Sequence, residues 1–173
     1  DQLLAYEFGQ IFPGCRLLDV HEYLLEKGVR LAPATGVKYL YHDPCHTPMK
    51  THAPLQVARG LLGGEVRLSE RCCGEAGTLG TSRPDIANQL RFRKQEELVK
   101  GIRGLTGGER ADGEVRLVTA CPACQQGLSR YADDTGLKTD YIVVELAKAR
   151  FGDGWQQRFI RRVKDRGIEQ VLL

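Results

Sequence analysis

Three short cysteine segments, each just after an apolar run rich in β-forming residues, most constrain what this chain can fold into. The segments are 43–46, 72–74 and 121–124, and the runs before them are 37–42, 65–68 and 115–120. Runs this short are not helices, and their Val, Leu and Tyr content predicts buried strands. Each cysteine segment is therefore expected at the carboxyl end of a strand.

Helical patterns fill the intervals between these runs. Strands that alternate with helices across short turns predict an α/β fold: an open, mostly parallel sheet with helices on both faces. Asp19 is expected to cap the first helix, with Val20 and Leu24 on its apolar face. We predict helices at 19–25, 53–62, from Ser82 to a polar loop at 104–113, at 122–132, at 145–149 and at 154–166, and further strands at 141–144 and 168–173.

The cysteines should meet at one edge of this sheet. In an open parallel sheet the functional crevice lies outside the carboxyl ends of the strands. Five of the six cysteines are in the three segments, namely Cys45, Cys72, Cys73, Cys121 and Cys124. We expect them to form one site. Cys15 stands apart from the others, and we predict a buried structural thiol there.

The composition is that of one globular domain. The chain has 173 residues, of which 42% are hydrophobic and 27% charged, and this argues against disorder. No apolar run approaches the roughly 18 residues that span a bilayer, and no signal peptide opens the sequence. We therefore expect a cytoplasmic protein without a transmembrane segment, able to associate peripherally with the inner face of the membrane. Because the sequence starts at Asp1 in what resembles mid-domain sequence, we expect a C-terminal fragment of a longer protein.

The net charge of +3 is a mild basic excess. Its densest patch lies at 158–166, where the basic residues have a single aromatic neighbour, Phe159. Such a patch is more typical of a solvated helix face than of a nucleic-acid site. We therefore expect no nucleic-acid partner.

The cysteine pattern favours a metal site over disulfides. Adjacent Cys72 and Cys73 would form a strained bridge, and without a secretory signal, metal or redox chemistry outranks a disulfide framework. Thiolates suit iron–sulfur clusters and Zn²⁺. Five thiols exceed the four ligands of a tetrahedral zinc, and an adjacent pair can reach two metal atoms. An iron–sulfur centre is the first interpretation, zinc the second, and a redox-active C-x-x-C dithiol the third.

Three residues beside the cysteines are expected to shape the site. Gly74 lets the backbone approach a cluster and leaves N–H groups free to bond sulfur, and Pro122 shapes the last cysteine loop. His46, like His42, could be a ligand. A histidine after a buried strand more often forms hydrogen bonds around the ligands.

The segments Asp43-Pro44-Cys45-His46, Cys72-Cys73-Gly74 and Cys121-Pro122-Ala123-Cys124, in this order, resemble the cysteine-rich CCG domain family over roughly residues 37–146. That family includes the cysteine-rich subunit of heterodisulfide reductase, the iron–sulfur subunits of glycolate oxidase and anaerobic glycerol-3-phosphate dehydrogenase, lactate-utilisation proteins, and C-terminal parts of flavin-linked oxidoreductases. The resemblance implies a cluster bound by the five cysteines. In the best understood members this is a non-cubane [4Fe–4S] cluster, and in some others another cluster or zinc.

The chain departs from the family pattern in its spacing and its copy number. The 26 residues between Cys45 and Cys72 are fewer than usual, and the 47 between Cys73 and Cys121 are more. Many members carry two CCG units, whereas this chain carries one. We expect a single domain over 1–173, with a motif core at 37–146 and a C-terminal helical extension at 151–173.

The resemblance implies an electron-transfer domain of an FAD-linked oxidoreductase similar to lactate or glycolate dehydrogenases. A flavin domain outside this chain would oxidise a 2-hydroxy acid, and the cluster domain would pass electrons singly to a quinone, cytochrome or disulfide acceptor. The chain alone would then turn over nothing. Two other functions stay open: a zinc-stabilised interaction domain without redox activity, and a disulfide reductase whose cluster cleaves the substrate.

Overall fold

The computed structural model of the chain describes residues 2–32, 36–75 and 77–167. Within these residues, strands form one sheet in the order β2-β1-β3-β4, and every neighbouring pair is parallel. The strands are β1 (Lys38–His42), β2 (Val66–Ser69), β3 (Val115–Thr119) and β4 (Lys138–Tyr141).

Helices connect these strands. They are α1 (Gln2–Ile11), α2 (Val20–Glu26), α3 (Pro54–Leu62), α4 (Leu79–Ser82), α5 (Pro84–Thr106), α6 (Pro122–Ser129), α7 (Ala132–Thr135), α8 (Ile142–Phe151) and α9 (Trp155–Arg166). In the described part of the chain, no helix combines the length and the apolar character needed to cross a membrane.

Two apolar clusters show that helices cover both faces of the sheet. Alternate residues of β1 point to opposite sides. Tyr39 and Tyr41 pack with α3 and α8, whereas Leu40 packs with α5 and α6. All three side chains are buried. The predicted α/β fold, an open parallel sheet with helices on both faces, is confirmed.

Glycines allow α5 to lie close against the sheet. A Cβ atom at Gly101 would lie 2.9 Å from Cδ2 of Leu40, which is buried in the core. One turn later, a Cβ atom at Gly104 would lie 2.6 Å from Nη1 of Arg67, the end of a half-exposed side chain. Only the first position therefore demands the absence of a side chain.

A buried carboxylate fixes the start of α2. Asp19 caps the helix as predicted and accepts the N–H of His21 at 2.9 Å, while Oε2 of Glu22 accepts the N–H of Asp19 at 3.2 Å. Oε1 of Glu22 accepts two more N–H groups, from Thr51 at 2.6 Å and His52 at 2.7 Å. Burial raises the pKa of Glu22, but these donors outweigh it and hold the pKa below its ordinary value of 4.5. Glu22 thereby ties α2 to the segment before α3.

The fourth strand lies earlier than predicted. We expected a strand at 141–144, but β4 is Lys138–Tyr141 and α8 begins at Ile142. A short apolar run does not distinguish a buried strand from a buried helix. Here Ile142 and Leu146 lie one helical turn apart and pack together into the core.

Other boundaries differ by less. The helix α5 continues to Thr106, so the polar loop predicted at 104–113 begins at Gly107, whose positive φ of 82° ends the helix. The helix predicted at 122–132 is divided into α6 and α7, and α1 was not predicted. The strand predicted at 168–173 lies outside the described residues.

Two predictions about burial were wrong. Cys15, expected to be a buried thiol, is exposed. Val20 is 50% exposed, and α2 instead buries His21 and Glu22. A hydrophobic pattern cannot find such a face, because here the buried side chains are polar and paired.

Glu22→Gln should destabilise the fold by about 2 kcal/mol at neutral pH, because glutamine cannot accept all three N–H groups as the carboxylate does. Since the pKa of Glu22 is lowered on folding, its contribution is present above about pH 4.5 and is lost as the pH falls through the folded-state pKa. Urea unfolding of both proteins from neutral to about pH 3 should show the difference shrinking. Glu96→Gln, on the exposed side of α5, is the control. A difference that stays constant down to about pH 3 would contradict this interpretation.

Gly101→Ala and Gly104→Ala form a matched pair on one helix. Alanine gains up to about 1 kcal/mol of helix propensity at either position, but at Gly101 it must displace buried Leu40, which costs about 1–3 kcal/mol. We expect Gly104→Ala to be neutral or stabilising and Gly101→Ala to be destabilising in urea unfolding. Equal effects would show that α5 does not need its close approach to β1.

Candidate metal centre

The three cysteine loops leave the carboxyl ends of three adjacent strands. In the sheet order β2-β1-β3, the strands end in register at Ser69, His42 and Thr119. The loop after each strand carries its cysteines to the same edge. This is the position in which ligands bind to open parallel sheets.

The loops bring the five predicted cysteines together. Sγ of Cys45 lies 3.9 Å from Sγ of Cys72, and Sγ of Cys73 lies 3.3 Å from Sγ of Cys124. Cys121 is within hydrogen-bonding reach of Cys124. The adjacent cysteines thus face different partners, with Cys72 directed to the first loop and Cys73 to the third.

Burial increases across the site. Cys73 and Cys124 are buried, Cys72 and Cys121 are half-buried, and Cys45 is exposed. All of these thiols are free. The site therefore opens to solvent on the side of Cys45 and closes on the side of Cys73.

A hydrogen bond couples the two buried thiols, Cys73 and Cys124. The hydrogen bond from the Cys124 thiol lowers the pKa of Cys73 to about 4, against the opposing effect of burial and with help from His42. The same hydrogen bond and burial raise the pKa of Cys124 well above its ordinary value. The hydrogen bond therefore favours the thiolate on Cys73 over that on Cys124. A metal that binds both sulfurs must release the remaining proton.

A row of buried polar side chains lies under the sulfurs. We call Ser69, His42 and Thr119, which are in register on neighbouring strands, the polar row. Each is at most 3% exposed. Among the described residues, Nε2 of His42 and Oγ1 of Thr119 are buried without a hydrogen-bond partner. In the described part of the chain, two polar atoms of this row are thus left without a partner at the strand ends that carry the cysteine loops.

The helix α5 adds a fully buried lysine to this row. Nζ of Lys94 lies 2.5 Å from Oγ of Ser69, 3.3 Å from Nδ1 of His42 and 3.3 Å from Oε2 of Glu97. Burial lowers the pKa of Lys94, and the Glu97 carboxylate opposes that shift. This residue was not predicted from the sequence. Its signal was a lysine in line with Leu98 and Ile102, four and eight residues later on the buried face of α5.

Glu97 also holds the start of the loop that carries Cys72 and Cys73. Its two carboxylate oxygens accept the N–H groups of Glu70 at 2.5 Å and Arg71 at 2.9 Å. The adjacent cysteines follow directly. Their position is thus set by α5 as well as by β2.

Beyond the adjacent cysteines, charged contacts hold the other end of the same loop. The Glu75 carboxylate lies 3.6 Å from the guanidinium of Arg91 on α5 and forms an ion pair with Arg130, which follows α6. The loop is therefore attached to helices at both of its ends.

Of the residues predicted to lie around the cysteines, two contact the cysteine loops and one is exposed. Gly74 has a positive φ of 77°, and its N–H donates to Sγ of Cys72 at 3.4 Å. Pro122 is the first residue of α6, with Cys121 as the N-cap, so both cysteines of that loop lie at the positive end of a helix. His46 is exposed. The histidine that lies beside the sulfurs is His42, whose ring nitrogen is within 4.8 Å of the sulfurs of Cys73 and Cys124.

This donor set fits an iron–sulfur cluster. Two thiolates on one tetrahedral metal with bonds of about 2.3 Å lie about 3.8 Å apart, close to the 3.9 Å between Cys45 and Cys72. The pairing of the adjacent cysteines with two different loops distributes the thiols over more than one metal position. The donors of His42 and Thr119, which the described residues leave unpartnered, suit the acceptor sulfurs of a cluster.

Comparison with known proteins assigns the family. Residues 39–129, just over half of the chain, match the family described as Cysteine-rich domain (CCG). Residues 129–173 match a Domain of unknown function (DUF3400). No solved structure matches the chain.

Three curated proteins of methanogens are similar to the chain. An uncharacterized iron-sulfur protein of Methanococcus maripaludis is 24% identical over 141 residues, which cover 76% of the chain and 26% of that protein. A fumarate reductase (CoM/CoB) subunit of Methanothermobacter marburgensis is 26% identical over 147 residues, which cover 79% of the chain and 28% of that protein. An uncharacterized iron-sulfur protein of Methanocaldococcus jannaschii is 26% identical, with 74% and 26% covered.

The chain spans about a quarter of the length of these relatives. The matched family segment, residues 39–129, includes all three cysteine loops and the strands β1 to β3 that carry them. The resemblance expected from the three cysteine segments is confirmed: the chain belongs to the cysteine-rich CCG domain family, and its relatives include iron-sulfur proteins and one subunit of a reductase.

Proposed function

We propose that the chain is the iron–sulfur electron-transfer domain of an oxidoreductase, with Cys45, Cys72, Cys73, Cys121 and Cys124 as the cluster ligands. The observation that carries this proposal is the divergence of the adjacent cysteines, since Cys72 lies against Cys45 and Cys73 against Cys124. One zinc ion would use four of these thiols and leave one over. A polynuclear cluster uses all five.

The chain's own residues would have distinct tasks around such a cluster, which supplies a site that accepts and releases electrons one at a time. The N–H of Gly74 donates to the sulfur of Cys72 and disperses its negative charge. Pro122 starts α6 so that the helix N-terminus faces Cys121 and Cys124. Exposed Cys45 marks the side where a redox partner comes within reach of the cluster.

A more specific proposal concerns the enzyme to which this domain belongs. The family resemblance favours a non-cubane [4Fe–4S] cluster and a flavin domain elsewhere in the same chain or complex, which takes electrons from a 2-hydroxy acid by way of FAD. The acceptor after this domain would be a quinone, a cytochrome or a disulfide. Six free thiols suit the reducing cytoplasm. In this scheme the domain alone has no turnover.

Zinc is the second candidate, and one observation favours it. Nitrogen and sulfur atoms of His42, Cys73 and Cys124 lie within 4.8 Å of one another, as three ligands of a zinc ion could. In that case the domain would be a stabilised interaction module without redox activity.

Metal analysis of cysteine variants separates the two candidates. The anaerobically purified chain should contain stoichiometric iron and sulfide and absorb visible light. Cys73→Ser and Cys124→Ser should lose most of both, because each removes a buried thiol from the site. Cys15→Ser should retain them, since Cys15 is exposed and lies outside the three cysteine loops. A colourless protein with zinc alone, or normal iron in Cys73→Ser, would contradict the cluster proposal.

Stopped-flow reoxidation tests the role of the domain once the cluster is loaded. The pre-reduced chain should lose its electrons rapidly to a one-electron acceptor dye, because Cys45 leaves the site open to solvent. With a small free organic disulfide as the oxidant, we expect the pre-reduced chain to be reoxidised far more slowly than by the dye. Rapid, stoichiometric cleavage of the disulfide would instead assign a catalytic disulfide reductase.

A further inference from the structure

We propose that Lys94 is a positioning residue: it holds His42 in the tautomer that carries its hydrogen on Nε2, so that His42 donates a hydrogen bond to the Cys73 sulfur and is not a metal ligand. The consequence for the cluster rests on the proposed function, whereas the tautomer itself does not.

The contacts of Lys94 use all of its donors. An ammonium group has three N–H bonds and no lone pair. The structure places three acceptor positions around Nζ, at Ser69 Oγ, Glu97 Oε2 and His42 Nδ1. Because Lys94 is fully buried, no solvent competes for these bonds. The lysine is therefore satisfied as a cation only if Nδ1 of His42 accepts.

The tautomer follows from that acceptance. A neutral imidazole that accepts at Nδ1 carries its hydrogen on Nε2. The backbone oxygen of Ser69, 3.4 Å from Nδ1, would favour the other tautomer. That tautomer would aim an N–H at the Lys94 ammonium 3.3 Å away, and the lysine would lose one of its three acceptors. Because the lysine is buried, its contact with Nδ1 favours the tautomer that carries the hydrogen on Nε2.

A sulfur is the candidate acceptor for the hydrogen on Nε2. Within the described part of the chain, Nε2 of His42 is buried without a hydrogen-bond partner. A ring nitrogen of His42 lies within 4.8 Å of the Cys73 sulfur, and the imidazole helps to lower the pKa of the Cys73 thiol, so a small shift brings the N–H into hydrogen-bonding range of that sulfur. With a hydrogen on Nε2 and the lysine against Nδ1, neither ring nitrogen offers a lone pair to a metal. His42 thus belongs to the surroundings of the site, and the ligands are sulfurs.

The buried charge has an electrostatic effect as well. Thiolates and a reduced cluster are anionic. Lys94 contacts His42, and a ring nitrogen of His42 lies within 4.8 Å of the Cys73 sulfur. Glu97 offsets part of the positive charge, but its carboxylate is also bonded to two backbone N–H groups and reaches solvent. Removal of the cation should therefore disfavour the reduced state and lower the midpoint potential.

The tautomer can be tested without any variant or cluster. In the ¹⁵N-labelled, metal-free chain under reducing conditions, two-bond ¹H–¹⁵N correlation spectra distinguish a protonated from an unprotonated ring nitrogen. We expect Nε2 of His42 to be protonated and Nδ1 to be the acceptor near neutral pH. A hydrogen on Nδ1 would overturn the proposal, whatever metal the chain binds.

Lys94→Met then tests the consequence in the cluster-loaded chain. It keeps the length of the side chain and removes its charge and donors. We expect the reduction equilibrium to shift at least tenfold toward the oxidised state, which is about 59 mV for a one-electron couple. Lys100→Met removes the same charge from an exposed position of α5 and should shift it less than threefold.

Two further variants test whether the shift in potential comes from the charge and hydrogen bonds of Lys94. Lys94→Arg keeps the charge and should keep more of the wild-type potential than Lys94→Met. Ser69→Ala removes one acceptor of Lys94 and should shift the equilibrium by less than Lys94→Met, and it serves as the test if Lys94→Met does not fold. Equal potentials in Lys94→Met, Ser69→Ala and the wild type would overturn the electrostatic role. Absence of iron and sulfide in the wild type would contradict the proposed function and leave the tautomer measurement as the test of this inference.

Discussion

The contact between the buried face of α5 and the carboxyl ends of β1 and β2 is the constraint on which the site depends. Lys94 and Glu97 lie one turn apart on this helix. The lysine bonds Ser69 and His42 at the strand ends, and the glutamate bonds the backbone that leads into Cys72 and Cys73. A single helical turn therefore sets both the polar row and the adjacent cysteines. Gly101, two turns further, lets the same helix lie close to the sheet.

The electrostatics of the site follow from the same contact. Five thiols that meet at one edge become strongly anionic when a metal deprotonates them. The N-terminus of α6 and the Gly74 N–H contribute favourable dipoles there, and Lys94 contributes an ammonium group that is buried rather than screened by water. Such a lysine is costly in a core without anions nearby. Its presence is best explained by the sulfurs and the carboxylate that it accompanies.

The sequence was most informative where a pattern has a direct geometric meaning. Three cysteine segments after three apolar runs predicted parallel strand ends, and this part of the fold is confirmed. The thiols of those loops lie in contact as Cys45 with Cys72 and Cys73 with Cys124. The apolar residues of 142–144 predicted a strand and begin a helix instead, because local hydrophobicity does not determine which element buries them. The sequence did not reveal which polar side chains are buried. Glu22 in α2 and Lys94 in α5 gave no apolar signal, and their partners come from distant segments that no spacing rule connects. His46 and His42 were both expected near the ligands, and the structure places a ring nitrogen of His42 within 4.8 Å of the Cys73 and Cys124 sulfurs and leaves His46 exposed.

Iron K-edge X-ray absorption of the anaerobically purified chain tests the central claim most directly. A cluster held by sulfur alone predicts an iron–sulfur shell together with an iron–iron shell, and no nitrogen ligand from His42. Zinc in place of iron, a mononuclear metal with no metal–metal shell, or a nitrogen in the first coordination shell would contradict the account.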